Sequence, residues 1–361
     1  MKRTRHLGYI VVVMLMVVAL VIACAPTPKT PSMEPVTLLI NTGIYSPDSL
    51  TGRTAQWFGD EVTRRTDGLI TFEYVGSFSL TKPGQEIDGT KTGLSDFSVF
   101  PNVYYPTKLF LNQLTHAVFG APTDPNVGWE VVDKLYQEEP ALAEEYEKYG
   151  NKLIGPLGVI NYVLETKTPV TKLEDLEGQN IAISGHWAPK IVEATGATPL
   201  PTTLLDRPTA LQTGMLDGSI LPWVISAPFK LYEFAPYRTG PGWGYWAADM
   251  LTMNLELFNS LPDDIQEILL EVGREAGGVY MEMGQADWAK TKATMEASGV
   301  TFTDFSDEEM IKWGNLIGNP VADAVKEGEA MGLPIRGPME TYLRLCKEAG
   351  HKFPREWTLD N

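Results

Sequence analysis

Only two cysteines occur in the 361 residues, Cys24 and Cys346, far apart in the chain. That excludes a disulfide-stapled scaffold and a cysteine-based zinc motif. Histidine is also scarce. His116, His186 and His351 are widely separated, so a histidine-rich metal centre is not expected. The sequence lacks HExxH, GxSxG and a Walker-type loop. Thr239-Gly-Pro-Gly-Trp-Gly-Tyr245 is glycine-rich without the GxGxxG spacing or a following helical pattern, and reads as a loop. Asp263-Asp264 and Glu308-Glu309 fall in first helical turns, where the helix dipole accounts for them better than catalysis does. No catalytic residue, metal or cofactor is expected. Positive charge is short as well: the net charge of −17 argues against a nucleic-acid partner.

What is present begins with a leader. MKRTRH is basic, Leu7 to Ile22 is a nearly unbroken apolar run, and Val21-Ile22-Ala23-Cys24 follows. This is the layout of a secretory signal peptide, and its end resembles the bacterial lipobox, where cleavage leaves the cysteine to carry lipid. The competing reading is an uncleaved membrane anchor. Either places the rest of the chain outside the cytoplasm. Losing residues 1–23 removes Lys2, Arg3 and Arg5, taking the charge from −17 to −20. Residues 24–35 are Pro-rich and read as a tether. Cys346 lies in a helical pattern and reads as a packing residue.

Val36–Asn41, Leu69–Val75 and Ser95–Phe100 read as strands, separated by helices at about 51–66 and 85–92. This βαβαβ opening predicts an α/β fold with a largely parallel sheet. A helix starting at Asp124-Pro125 runs to Tyr149 with a break near Pro140. Further strands are predicted at 158–165, 180–184, 219–223 and 246–254, with helices at about 187–195 and 206–214. Pro262 to Ser298 carries one very long helical pattern, with Gly277-Gly278 as a candidate bend. Ser306-Asp-Glu-Glu309 is a capping box for the next helix. Aromatic residues collect where the chain enters or leaves strands: Phe100, Tyr104, Tyr105, Tyr162, Trp187, Trp223, Trp243, Tyr245 and Trp246. Packing explains any one of them. As a set they suit a mostly apolar cleft with a few polar anchors.

Leu173-Glu-Asp-Leu-Glu-Gly178, Asn180-Ile-Ala-Ile-Ser184, Gly196-Ala-Thr-Pro-Leu-Pro201, Thr209-Ala-Leu-Gln-Thr-Gly-Met-Leu-Asp-Gly218 and Phe258-Asn-Ser-Leu-Pro-Asp-Asp264 follow one another in a familiar order. With them the chain, from about Val36 to about residue 330, resembles the extracytoplasmic solute-binding proteins of TRAP transporters, DctP type. The resemblance implies a two-lobed periplasmic-binding-protein-like fold with crossing strands and a long interlobe helix. Lobe I would comprise 36–159 plus 248–287, and lobe II 160–247 plus 288–361. It also implies a small organic solute held between the lobes and a permease's membrane subunits as partner.

The departures from that family bear on the ligand. Where the family usually carries an arginine that forks onto a ligand carboxylate, this chain has Ala182. Leu221 replaces a usual asparagine, and Tyr162 a basic residue of some members. None can reproduce charge-assisted forked hydrogen bonds. A neutral, cationic or aromatic ligand is expected rather than a small dicarboxylate, stacked on Tyr162, Trp187, Trp223 and Trp246. Asn41 and His186 would supply hydrogen bonds. Asp206, where relatives hold an acid orienting the arginine, would be free to meet Arg207, His186 or the ligand. Tyr45 and Phe100 complete the expected lining. Two alternatives stand: a carboxylate received by another route, such as Arg207 or helix N-terminal amides, and an extracytoplasmic enzyme or sensor module on the same fold.

Overall fold

The computed structural model describes residues 33–360. The signal peptide, Cys24 and nearly all of the expected tether lie outside the described residues. Among these, no helix is long and apolar enough to cross a membrane. In chain order the strands are β1 (Val36–Asn41), β2 (Ile70–Val75), β3 (Phe97–Pro101), β4 (Asn151–Asn161), β5 (Val163–Thr166), β6 (Asn180–Ala182), β7 (Thr198–Leu200), β8 (Gly218–Leu221), β9 (Tyr237–Gly240), β10 (Tyr245–Asn254) and β11 (Thr301–Asp304).

They form two sheets, β2-β1-β3-β10-β4 and β11-β9-β5-β8-β6-β7. The opening is parallel as predicted, with β1 beside β2 and β3. The sheet as a whole is mixed, however, because β10 returns antiparallel between β3 and β4. A strand returning from the other lobe has no crossover helix to turn it parallel. The second sheet is mixed too: β6 is parallel to β7 and β8, and β5 is antiparallel to β8 and β9. The strand predicted from 158 starts earlier, at Asn151, and stops at Asn161 before resuming as β5 at Val163. Gly155, Pro156 and Gly158 hide that first half from a propensity reading.

The chain therefore changes sheets three times, at Tyr162, between β9 and β10, and between β10 and β11, and the first two crossings are adjacent. Asn161 ties the crossings together: its Nδ2 donates to the Pro241 carbonyl at 2.6 Å, and its Oδ1 accepts from Gly244 N at 3.2 Å. Trp243 N donates to the Tyr162 carbonyl at 3.1 Å.

The predicted long helix is present as Asp263–Ala297, 35 residues, about 52 Å at 1.5 Å per residue. It packs on β4 and on the helix Leu50–Arg65. Arg53 pairs with Asp287, and Arg65 with Glu275, across that contact. Small residues let the helix lie close. A Cβ on Gly155 would come within 2.5 Å of the Gly273 carbonyl oxygen, and one on Gly158 within 2.4 Å of the Tyr280 ring. The helix runs unbroken through Gly277-Gly278, where Gly277 admits the ring of Trp129.

Caps confirm the predicted starts. Asp124 Oδ1 accepts from Asn126 N at 2.9 Å and Val127 N at 3.1 Å, with Pro125 in the first turn. Ser306 Oγ accepts from Glu309 N at 3.2 Å, while Glu309 turns its carboxylate to Leu173 N at 2.7 Å. Cys346 is fully buried in the helix Arg336–Glu348, as a packing residue should be.

The two glycines of the long helix give a discriminating test. A Cβ on Gly277 would lie 1.8 Å from Trp129 Cη2, whereas one on Gly278 has nothing nearer than 3.9 Å. Gly277→Ala is expected to cost about 1–3 kcal/mol through overpacking. Gly278→Ala is expected to add about 0.5–1 kcal/mol of helix stability. Urea denaturation measures both, and equal shifts would refute the proposed docking of Trp129.

Candidate ligand site

In α/β folds, sheets meet ligands at the C-terminal ends of their parallel strands, and four of the expected residues stand at or near such ends. Lobe I contributes Asn41 at the end of β1 and Phe100 near the end of β3. Lobe II contributes Ala182 at the end of β6 and Leu221 at the end of β8. All four are buried. The Asn41 amide is occupied within its own lobe: Nδ2 donates to Thr81 Oγ1 at 2.8 Å and Oδ1 accepts from Gly43 N at 3.0 Å. Phe100 meets Tyr105 edge-on at 5.0 Å. Tyr45 donates from its hydroxyl to Asp249 Oδ1 at 2.5 Å.

The four predicted stacking residues separate into different environments. Tyr162 and Trp246 are buried against each other at 5.0 Å between ring centroids, and His116 lies 4.8 Å from Trp246 on the same stack. Trp187 is 1% exposed, packed by Phe110 and His186, with Lys190 Nζ 4.4 Å from its ring centre. Trp223 is half-buried and lines a cavity of about 350 Å³. That cavity lies between the long helix, the crossings at Asn161 and Pro241, and the second sheet. Trp288, Phe302, Tyr245 and Tyr280 complete its aromatic walls. Trp223 and Trp288 stand 5.5 Å apart.

His186 and Asp206 are turned to other partners. His186 Nε2 is 2.8 Å from Glu327 Oε2, on the helix Pro320–Ala330. Asp206 is exposed and accepts from Thr203 Oγ1 at 2.5 Å, meeting neither Arg207 nor His186.

Several further polar groups are buried nearby, and of them only Arg207 figures in the sequence reading, as an alternative route for a carboxylate. Asp249, from β10, is fully buried and also accepts from Thr51 Oγ1 at 3.1 Å. Glu86 accepts from the Tyr105 hydroxyl at 2.5 Å and Gly84 N at 2.9 Å, leaving Oε1 buried without a partner. Arg238 pairs with Glu165 beneath the cavity, and Ser226 Oγ donates to the same carboxylate at 2.8 Å. Arg207 is 2% exposed; it donates to Ser219 Oγ at 2.9 Å, Ser184 Oγ at 3.1 Å and the Thr202 carbonyl at 3.3 Å. The signal for Asp249 was an acid inside an otherwise apolar strand, WAADMLTMN. Glu86 and Trp288 gave none. No group of histidines, cysteines or carboxylates able to hold a metal occurs among the described residues.

Burial pushes the Asp249 carboxyl up from 3.8 to about 6, against the hydrogen bonds from Tyr45 and Thr51 that pull it down. Its contribution to stability is thus full below its unfolded value and lost as pH rises through about 6. Burial pushes His116 the other way, from 6.5 down to about 4, so its contribution is lost as pH falls through that range. Asp249→Asn removes only the first effect. Its melting temperature should therefore fall more steeply than that of the wild type from pH 6.5 to about 4. Parallel melting curves would show that Asp249 does not titrate there.

The DctP family, bacterial extracellular solute-binding protein family 7, matches residues 42–327. A solute-binding protein from Sulfitobacter sp. is 27% identical over 321 residues, covering 84% of this chain and 91% of that one. The ectoine-binding periplasmic protein TeaA of Halomonas elongata is 25% identical over 194 residues, 52% of this chain and 56% of its own. A TRAP solute-binding protein from Rhodoferax ferrireducens, solved with copurified benzoate, superposes with a TM-score of 0.75 at 21% identity. That match covers 87% of this chain and 98% of the other. The paired sheets, the double crossing and the long helix are thus a shared architecture, and the chain belongs to the DctP family of extracytoplasmic solute receptors that serve TRAP transporters.

Proposed function

We propose that this protein captures a small organic solute other than a dicarboxylate between its lobes and hands it to the membrane subunits of a TRAP permease. The observation that carries this is at the strand ends. Ala182 and Leu221, where two carboxylate-binding residues would stand, are buried apolar side chains, and Tyr162 is stacked on Trp246. A second carboxylate brought against them would lose its hydration without gaining a donor. Relatives named for ectoine and solved with benzoate fit the same reading.

Lobe I is taken as 36–159 plus 248–287 and lobe II as 160–247 plus 288–361. On that division the hinge lies at the two adjacent crossings, clasped by Asn161. Closure is selected by a ligand that touches both lobes. The protein binds and releases its solute chemically unchanged, with no cofactor. It is held at the membrane by lipid on Cys24, with the Pro-rich segment as spacer.

A thermal-shift screen tests the function. A solute at 100 times its dissociation constant should add roughly 2.7 kcal/mol of stability and be recovered intact. A solute that is consumed would refute the receptor, and succinate or malate giving the largest shift would refute the ligand class. The anchor has its own test. Cys24→Ser should move the protein from the membrane fraction to the soluble extracytoplasmic fraction. Retention in the membrane would mean that the apolar run itself is the anchor.

A further inference from the structure

Arg207 poses a problem that the proposed function leaves open. A guanidinium stays charged in proteins, and burying it without a carboxylate or phosphate partner is costly. Arg207 is 2% exposed, yet among the described residues no acid bonds to it. Glu165, the lobe II acid whose charge reaches it, takes Arg238 and Ser226 on Oε1 and leaves Oε2 buried without a partner, so it makes no hydrogen bond to Arg207. Its own neighbour Asp206 turns outward to Thr203. Only hydroxyls and one carbonyl face Arg207. Nε, Nη1 and Nη2 each donate once, which leaves one N–H on each terminal nitrogen of the fork.

The location matches the vacancy of charge. Of the two serines that Arg207 grips, Ser184 lies just past the end of β6 and Ser219 on β8 is the register partner of Ala182. Ser184 and Thr202 also line an open hollow of about 460 Å³ at the ends of β6 and β7. The charge of Arg207 is felt at the hydroxyl of Tyr162 in its own lobe and at that of Tyr104 in the other. Tyr104 also feels Glu86 and Asp249, both in lobe I. Lobe II thus holds a buried cation to which no acid among the described residues is hydrogen-bonded.

Resting on the receptor reading above, we infer that Arg207 is the anchor for a single carboxylate of the solute. The helix Arg207–Thr213 supplies from its first residue the forked cation that the strand no longer carries at position 182. The serine hydroxyls hold the guanidinium in place, so its two remaining N–H groups are oriented before the ligand arrives. The ligand class is a monocarboxylate.

Calorimetric titration of the full chain in detergent tests this with benzoate, pyroglutamate and ectoine as probes, beside benzamide, pyroglutamide and succinate. Solute released from the denatured protein is identified by mass spectrometry in parallel. At least one monocarboxylate should bind, and its primary amide should bind on the order of 100-fold more weakly, since a forked charged pair is lost. Arg207→Met should weaken the acid by about the same factor and leave the amide unchanged. Acid and amide binding alike to the wild type would overturn the inference, and this comparison does not depend on the variant folding. So would succinate binding more tightly than every monocarboxylate, a copurified solute without an anionic group, or undiminished acid binding by Arg207→Met. A neutral solute would leave the receptor reading intact. Only a protein that neither binds nor carries any small solute would defeat that reading itself.

Discussion

The side chain of Asn161 is the constraint on which the two-lobed arrangement depends. The backbone leaves the first sheet at Tyr162 and comes back through Pro241–Gly244, and these stretches have no ladder of their own to hold them. Asn161 closes that gap by donating to Pro241 and accepting from Gly244, 2.6 and 3.2 Å away. The glycines around it are part of the same solution. A Cβ on Gly242 would come within 2.2 Å of Asn161 Oδ1, and one on Gly244 within 2.4 Å of the Ala121 carbonyl oxygen. Both also take positive φ, which glycine alone adopts without strain. A clasp made of one amide and two glycines fixes the crossing with few bonds.

Around that clasp the charges are arranged asymmetrically. Glu165 and Arg238 neutralise each other within the second sheet, and Ser226 adds a third contact. Asp249 and Glu86 stay within lobe I, each held by a tyrosine hydroxyl at 2.5 Å. Arg207 likewise has hydroxyls and a carbonyl in place of a charged partner. In a region this dry, such an imbalance gives an incoming ion both a direction and a reason to bind. The same low dielectric raises the carboxyl of Asp249 and lowers the imidazole of His116, so the interior of the cleft responds to pH in two opposed senses.

Much of the fold was legible before any coordinates. The long helix, the capped starts at Asp124 and Ser306, and the strands β1, β2 and β6 came from local patterns that tertiary contacts did not override. The misread pieces share one cause. The first half of β4 carries glycines and a proline because the long helix presses on it, and β10 runs antiparallel because it returns from the other lobe. The site was legible by position more than by contact. Ala182, Leu221, Asn41 and Phe100 sit at or near strand ends, while His186 and Asp206 are engaged by Glu327 and Thr203. Nothing in the sequence announces a hydrogen-bond partner 141 residues away.

The sequence by itself determined the family, the class of fold and the missing arginine at position 182, because these rest on residue identity and local order along the chain. Only the tertiary structure decided which polar groups are free. A buried charge is neutralised or not according to what other segments bring within about 4 Å. For Arg207 those segments end in Ser184, Thr202 and Ser219, and none of them brings an acid.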